Sequence, residues 1–343
     1  MIRLRFLLPL LALLCMSAAA QSNQGNSSYH QVHEYKPGGD TGWDYLNMDA
    51  ASRRLYISRG NHVQVINIDS GKLEGDITGL QGVHGIALDK ANNKGFISDG
   101  RANSVVVFDI KSIKQTGKVE AGTNPDAILF DPFSKRVFAF NGRSGNATAI
   151  DAKDNKVAAT IDLGGKPEFA VSDGKGKVFV NLEDKSELVQ IDPKALKVVN
   201  TWPLAPCESP SGLAIDADHE RLFAGCENET MAIVDGNSGK VIATEKIGKG
   251  VDATAFDKGV SQAYSSNGEG NITVVKEESP DSFSVAETVP TKRGARTMAV
   301  DEKTHDLITV TADFEKAPEQ TPGQPRQRPK MVPGSFVVLV YGK

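Results

Sequence analysis

A short apolar segment that ends in aspartate recurs seven times along the chain, and this repeat limits the folds that the chain can adopt. The repeated aspartates are separated by 40, 42, 42, 43, 41 and 44 residues, and they are Asp49, Asp89, Asp131, Asp173, Asp216, Asp257 and Asp301. Each is followed by a polar turn and by further short β-type runs, with no helical periodicity between them. Four short strands per unit of this length predict an all-β fold, a seven-bladed β-propeller of four-stranded antiparallel blades. A stacked solenoid is the alternative, but it needs atypical capping repeats at its ends, and none is visible.

The two ends of the chain predict how the ring closes. The seventh unit stops after its third strand, at residues 336–341, and residues 29–36 resemble the fourth strand of an ordinary blade. We therefore expect the N-terminal strand to complete the C-terminal blade, so that residues 21–343 form a single propeller. A proline-rich insertion, residues 316–333, interrupts blade 7 on the face described below. A loop of this length is usually functional or disordered, and the sequence leaves both interpretations open.

The repeated aspartate is predicted to have a structural role. It sits at the turn after the innermost strand of each unit, where a carboxylate can accept hydrogen bonds from the amides of the turn. Seven copies at one position indicate seven similar turns and not seven catalytic acids.

The first 20 residues have the pattern of a signal peptide. Arg3 and Arg5 precede the apolar run 6–14, and Ala18–Ala20 offers small residues for cleavage after Ala20. We therefore expect a periplasmic or secreted protein, with an uncleaved membrane anchor as the alternative. The formal net charge of the chain is −4, which gives no general attraction for nucleic acid or anionic membranes. After cleavage nothing else in the sequence is expected to hold the protein in a membrane.

Two kinds of loop in each blade are expected to converge on one central opening, and this mouth is the predicted binding site. Counting five residues back from each repeated aspartate gives a ring whose members differ from blade to blade. They are Asp44, His84, Asp126, Glu168, Ser211, Asp252 and Arg296. Four carboxylates and one histidine predict a site for a cation or a hard metal such as Ca²⁺, and no other cofactor is predicted. The alternative is a water-filled polar channel with partly paired charges.

Three arginines in the loops between second and third strands form a second candidate site on the same face. Arg59, Arg101 and Arg143 occur in three successive blades. Guanidinium groups bind carboxylate, phosphate or sulfate bidentately, so a cluster of them predicts an anion site beside the acidic mouth. The alternative is that these arginines are ordinary solvated turn residues.

Two cysteines remain after the signal peptide, Cys207 and Cys226. Both are expected on the mouth face of the fifth blade, and an exported chain meets an oxidising environment. We predict a disulfide that fastens this loop, with a reactive thiol pair as the alternative.

The units resemble the YVTN-type repeats of the YncE-like propeller family over nearly all of residues 28–343. The resemblance is carried by the lead-ins GTNPDAILFD at 122–131, GGKPEFAVSD at 164–173 and SPSGLAID at 209–216. It implies a seven-bladed propeller of exported bacterial proteins. Several members are binding or surface proteins, and YncE itself is similar to a DNA-binding propeller, so the fold leaves the activity open.

The sequence lacks the common catalytic motifs G-x-S-x-G, H-E-x-x-H, Walker A and C-x-x-C-H. The leading hypothesis is therefore a non-catalytic binding or scaffold protein, expected to be a monomer, that uses the mouth for a small molecule or a protein partner. The alternative is a metal-assisted lyase or hydrolase at the acidic mouth. Nucleic-acid binding, by analogy with YncE, is a third hypothesis that the net charge does not favour.

Overall fold

The computed structural model of the protein describes residues 28–316 and 329–343. Within these residues, the strands form seven four-stranded sheets, each built from antiparallel neighbours. The first strand of each sheet contacts the first strand of the next, and that of the seventh sheet contacts that of the first. The sheets therefore stand around a closed ring, which confirms the predicted seven-bladed β-propeller.

The first three blades follow the N-terminal strand β1, His30–Tyr35. Blade 1 contains, from the centre outwards, β2 (Leu46–Asp49), β3 (Arg54–Ser58), β4 (Val63–Asn67) and β5 (Leu73–Ile77). Blade 2 contains β6 (Val83–Asp89), β7 (Lys94–Asp99), β8 (Ser104–Asp109) and β9 (Lys114–Glu120), with two 3₁₀ helices at Lys90–Asn92 and Gly100–Ala102. Blade 3 contains β10 (Pro125–Asp131), β11 (Arg136–Asn141), β12 (Asn146–Asp151) and β13 (Lys156–Asp162).

The other four blades repeat this order. Blade 4 contains β14 (Pro167–Ser172), β15 (Val178–Leu182), β16 (Glu187–Asp192) and β17 (Lys197–Pro203). Blade 5 contains β18 (Pro210–Asp216), β19 (Arg221–Cys226), β20 (Thr230–Asp235) and β21 (Val241–Lys246). Blade 6 contains β22 (Val251–Asp257), β23 (Gln262–Asn267), β24 (Asn271–Ser279) and β25 (Ser282–Pro290). Blade 7 contains β26 (Met298–Asp301), β27 (Asp306–Thr311), β28 (Val337–Gly342) and, as its outer strand, β1.

The pairing of β1 with β28 confirms the predicted closure of the ring. The two strands run antiparallel, with His30 opposite Gly342 and Tyr35 opposite Val338. Just before β1, the side chain of Tyr29 is buried and packs edge-on against Tyr264 of blade 6, with ring centroids 6.3 Å apart. The N-terminal segment therefore contacts both of the last two blades.

The core is divided among the interfaces between neighbouring blades. Seven apolar clusters are present in the described residues, and each joins the facing sides of two adjacent blades. In the interface between blades 7 and 1, for example, Leu55 and Ile57 pack with Ile308 and Val338, all fully buried. Each such side chain contributes about 1.5–3 kcal/mol through the hydrophobic effect. No blade buries its apolar faces alone, so the blades stabilise one another around the ring.

The repeated aspartates are structural, as predicted. All seven side chains are buried, and they accept hydrogen bonds within the turn that follows. In blade 4, for example, Oδ1 of Asp173 accepts from the backbone N–H groups of Lys175, Gly176 and Lys177 at 2.8, 2.9 and 2.9 Å. In other blades the turn after the aspartate ends on a residue with positive φ; Arg53 in blade 1 and His305 in blade 7 are examples. The aspartate bonds help to hold this unfavourable backbone conformation.

One predicted segment and most of another lie outside the described residues. They are the signal peptide, residues 1–20, and residues 317–328 of the insertion in blade 7. The flanks of the insertion run side by side, since Phe314 and Met331 form an antiparallel bridge. Among the helices of the described residues, none is long and apolar enough to cross a membrane.

Candidate functional site

The structure brings the predicted mouth ring together at one end of the central channel. Each member stands at the start of an innermost strand or in the loop before it, and the shared register of these strands turns the seven side chains toward one opening. Six of them line a cavity of about 350 Å³: Asp44, Asp126, Glu168, Ser211, Asp252 and Arg296. The seventh, His84, contacts two of these residues.

Asp44, His84 and Asp126 form the most compact group in the ring. Nδ1 of His84 lies 2.6 Å from Oδ2 of Asp44 and 3.6 Å from Oδ1 of Asp126. Burial lowers the pKa of His84, but the hydrogen bond with Asp44 and the negative charges of Asp126 and Asp44 outweigh burial, and the pKa is raised overall. One ligand atom from each residue lies within 4.8 Å of the others, a spacing suited to a metal ion.

Two further features of the ring concern its carboxylates. Burial, with repulsion from neighbouring carboxylates, raises the pKa of Asp126 to about 6 and the pKa values of Glu168 and Asp252 to about 7. Nε of Arg296 lies 3.6 Å from Oδ2 of Asp252 and partly offsets its burial. The mouth therefore contains buried carboxyl groups, and the nearby positive charges are too few to neutralise them.

Ser211 differs from the charged members of the ring. Its side chain is buried, and its hydroxyl donates to the backbone carbonyl of Asp252 at 3.2 Å. This bond ties blade 5 to blade 6 at the mouth.

Sequence reasoning missed two glutamates that line the same cavity, Glu183 and Glu227. Each follows directly after the second strand of its blade, and its backbone N–H donates to the carbonyl of a lead-in residue. Blades 2, 3 and 6 place glycine at this position, namely Gly100, Gly142 and Gly268, and in blade 1 Gly60 lies one residue farther from the strand. The replacement of a repeated glycine by glutamate in blades 4 and 5 was the available signal.

Lys166 was also missed, and it is the lining cation nearest to Glu168. Its Nζ lies 3.2 Å from Oε2 of Glu168 and forms a shorter ion pair with Glu183. Burial lowers the pKa of Lys166, but these two glutamates raise it overall. Lys166 therefore stays charged and is shared between its two partners.

Tyr45 and Phe169 separate the acidic mouth from a second cavity deeper in the channel. Their rings stack with centroids 5.3 Å apart, and both residues line both cavities. The deeper cavity, of about 360 Å³, is lined largely by apolar residues of the innermost strands, including Met48, Leu88 and Phe130. The aromatic pair thus forms the floor of the polar site.

The three predicted anion-binding arginines do not share one environment. Arg59 is fully buried, stacks 3.6 Å above the ring of Phe336 and donates to the carbonyl oxygens of Gly38, Gly39 and Thr41. Arg101 and Arg143 are exposed. The reason is register: counted from the repeated aspartate, Arg59 matches Asp99 at the end of β7, and it lies directly after β3. Arg101 lies two residues farther into its loop. Arg59 therefore cannot take part in a solvent-facing anion cluster.

The predicted disulfide is present. Cys207 and Cys226 are bonded, with a Cα–Cα distance of 5.6 Å. Cys226 immediately precedes Glu227, so the bond fastens the lead-in loop of blade 5 to the strand that presents a carboxylate to the mouth.

Comparison with known proteins adds information about the fold. No protein-family model and no curated protein sequence matches the chain. A solved structure does. A chain of hydrazine synthase from Kuenenia stuttgartiensis is similar, with a TM-score of 0.69 and 15% sequence identity, over 80% of this chain and 93% of that chain. At this level of identity the likeness supports the β-propeller fold alone.

Proposed function

We propose that this protein is an exported, YncE-like binding protein of the YVTN-repeat type, and that its central mouth binds a small, positively charged ligand. The observation that carries the proposal is the charge of the lining. Among the described residues, six carboxylates line the cavity, namely Asp44, Asp126, Glu168, Glu183, Glu227 and Asp252, and two side chains, Lys166 and Arg296, line it with positive charge. A bound cation would relieve the repulsion that raises the pKa values of three of these acids.

A divalent metal ion is the simplest ligand of this kind. Asp44, His84 and Asp126 offer two carboxylates and one imidazole within 4.8 Å of one another. Ca²⁺ takes oxygen ligands, and ions such as Mn²⁺ also accept imidazole, so both are reasonable occupants. An organic amine would instead place its ammonium group among Glu168, Asp252 and Glu227.

The expected setting is the periplasm or the exterior of a bacterial cell, after cleavage behind Ala20. A disulfide between buried cysteines agrees with an oxidising compartment. A protein partner could dock over the same face, and the acidic lining does not favour nucleic acid as that partner.

A metal-assisted lyase or hydrolase is the second candidate function, and one observation favours it. The pKa of Glu168 is raised to about 7 by burial and by the charge of Asp126. A carboxyl group with such a pKa can exchange protons near neutral pH, beside a metal held by the neighbouring three residues. Lys166 contacts this carboxylate and would hold it in place.

The two functions are separated by measuring bound metal, thermal stability and turnover on the purified protein. A ligand at one hundred times its Kd stabilises by about 2.7 kcal/mol, so Ca²⁺ or Mn²⁺ should raise the melting temperature measurably and a chelator should reverse the effect. Asp126→Asn should remove the shift, whereas Glu208→Gln, an exposed acid on the same face, should keep it. No shift with any divalent cation or organic amine would contradict the proposal. Turnover that needs both metal and Glu168 would favour the enzyme.

A further inference from the structure

A second group of potential metal ligands lies at the opposite end of the innermost strands from the mouth. Asp216 is the last residue of β18 in blade 5, His219 lies in the turn that follows, and Glu277 lies in β24 of blade 6. Nδ1 of His219 is 2.5 Å from Oδ2 of Asp216 and 3.3 Å from Oε1 of Glu277. One ligand atom from each of the three residues lies within 4.8 Å of the others.

The propeller frame does not require a carboxylate at position 277. The backbone N–H of Glu277 donates to the carbonyl of Ser261, the residue with positive φ that ends the turn of its own blade. The same backbone bond is made in other blades by residues with apolar side chains or none, namely Ile68, Ile110, Ala152 and Gly236. Blade 6 therefore places an acid where blades 1, 2, 3 and 5 place an aliphatic residue or glycine.

The carboxylate of Glu277 is buried and accepts no well-aligned hydrogen bond from the described residues. Only 3% of its side chain is exposed. Burial of a carboxylate is strongly unfavourable unless its oxygens are bonded or it is paired with a cation. Burial and the neighbouring charge of Asp216 raise the pKa of Glu277 to about 7.

Nearby cations are engaged elsewhere, and the group can be reached from solvent. The guanidinium of Arg221 bonds to Asp235 and Asp281, and Lys258 pairs with Asp218. Among the described residues, the one ion pair of Glu277 is with His219, whose side chain is half exposed. The imidazole therefore forms an accessible edge over two buried carboxylates.

We propose that Asp216, His219 and Glu277 form a binding site for a first-row divalent metal ion such as Zn²⁺, separate from the mouth, that fastens blade 5 to blade 6. Two carboxylates and one imidazole are a donor set that such ions accept, and the ion would bind Nδ1 of neutral His219. The ion would coordinate the oxygens of Glu277, which accept no well-aligned hydrogen bond from the described residues.

The test must separate this site from the mouth, so every protein in the series carries Asp44→Asn and Asp126→Asn, which remove two of the candidate ligands there. Zn²⁺ is titrated by calorimetry into the chelator-treated protein. We expect one Zn²⁺ per chain in this background and in the background with Glu278→Gln, a matched change at the exposed neighbouring acid. Glu277→Gln should weaken binding about 100-fold or more.

A further variant guards against loss of folding. Glu277→Ile introduces the residue that blades 1 and 2 carry at this position, Ile68 and Ile110, so it should fold and should melt at a higher temperature than the metal-free parent. It should also bind no Zn²⁺ with comparable affinity. The proposal is overturned by a parent protein that binds no Zn²⁺, or by a folded Glu277→Ile or Glu277→Gln protein that binds it as Glu278→Gln does. Neither result bears on the mouth, which is altered equally in all of these proteins.

Discussion

Nη1 of Arg53 in blade 1 lies 2.5 Å from Oδ2 of Asp301 in blade 7. Asp301 is the last of the seven repeated aspartates, and its side chain is 1% exposed. The pair joins the first and last blades at the end of the channel that is remote from the mouth. At the outer edge of blade 7 the pairing of β1 with β28 joins the two ends of the chain again. The ring is therefore closed at two places. The ion pair of Arg53 and Asp301 joins blade 1 to blade 7, and β1 completes blade 7 at its outer edge.

Tyr29 should be an important part of this closure. Tyr29→Ala removes a buried ring packed against Tyr264 and should lower the free energy of unfolding by about 3–5 kcal/mol, as aromatic-to-alanine changes in cores do. Tyr29→Phe keeps the ring and loses hydrogen bonding of the hydroxyl, at a cost of about 1 kcal/mol. Urea denaturation followed by circular dichroism measures both. Equal stability of the two variants would argue against a packed N-terminal segment.

Arg59 should matter for stability and not for anion binding. Arg59→Leu leaves the carbonyl oxygens of Gly38, Gly39 and Thr41 without their donor and should cost more than about 2 kcal/mol. Arg59→Lys should also destabilise, because an ammonium group cannot reproduce the planar fork or its stacking on Phe336. Arg143→Leu, at an exposed loop position, is the control and should change stability little. An Arg59→Leu protein as stable as this control would contradict the assigned role.

The mouth should make the metal-free protein less stable as the pH rises. The pKa values of Asp126, Glu168 and Asp252 are raised to about 6, 7 and 7, so between about pH 4 and 7 the folded state binds more protons than the unfolded state. Linkage then requires the free energy of unfolding to fall through this window. His84 acts in the same direction, because its pKa is raised and the stabilisation from its charged form is lost as the pH rises above that pKa.

Asp252→Asn isolates one part of this effect. At about pH 8 without metal the variant should be more stable than the parent by about 1–2 kcal/mol, a value discounted from the full shift because the Asp252 side chain is partly exposed. The difference should shrink as the pH falls and nearly vanish at about pH 3.5, since Asp252 is then protonated in both the folded and the unfolded state. Urea denaturation at the two pH values, with chelator present, measures the difference. A parent and variant with the same dependence on pH would show that Asp252 is not perturbed.

The repeat explains why so much of the fold could be predicted from the sequence. One aspartate per blade fixes the end of each innermost strand, so counting back five residues reaches the same height in every blade, and Asp44, His84 and Asp126 meet as expected. The same register explains why Arg59, predicted to lie in a solvent-facing anion cluster, is buried. A displacement of two residues from the position of Arg101 moves a side chain from a solvated loop into the core.

Other site residues could not be found by residue type alone. Glu183 and Glu227 resemble ordinary loop acids until their positions are compared with the glycines of the other blades. Glu277 lies in a polar run that reads as a solvated strand end, and only the packing of blade 5 against blade 6 shows that its carboxylate is buried. These features depend on contacts between blades, which the pattern within one blade does not contain.

Anomalous diffraction from crystals of the protein soaked in Mn²⁺ shows directly whether the acidic mouth binds a cation. Carboxylate and imidazole ligands suit this ion. We expect an anomalous peak within bonding distance of Asp44, His84 and Asp126, and its loss in crystals of Asp126→Asn. Mn²⁺ bound elsewhere on the protein, with no peak inside the mouth, would contradict this expectation.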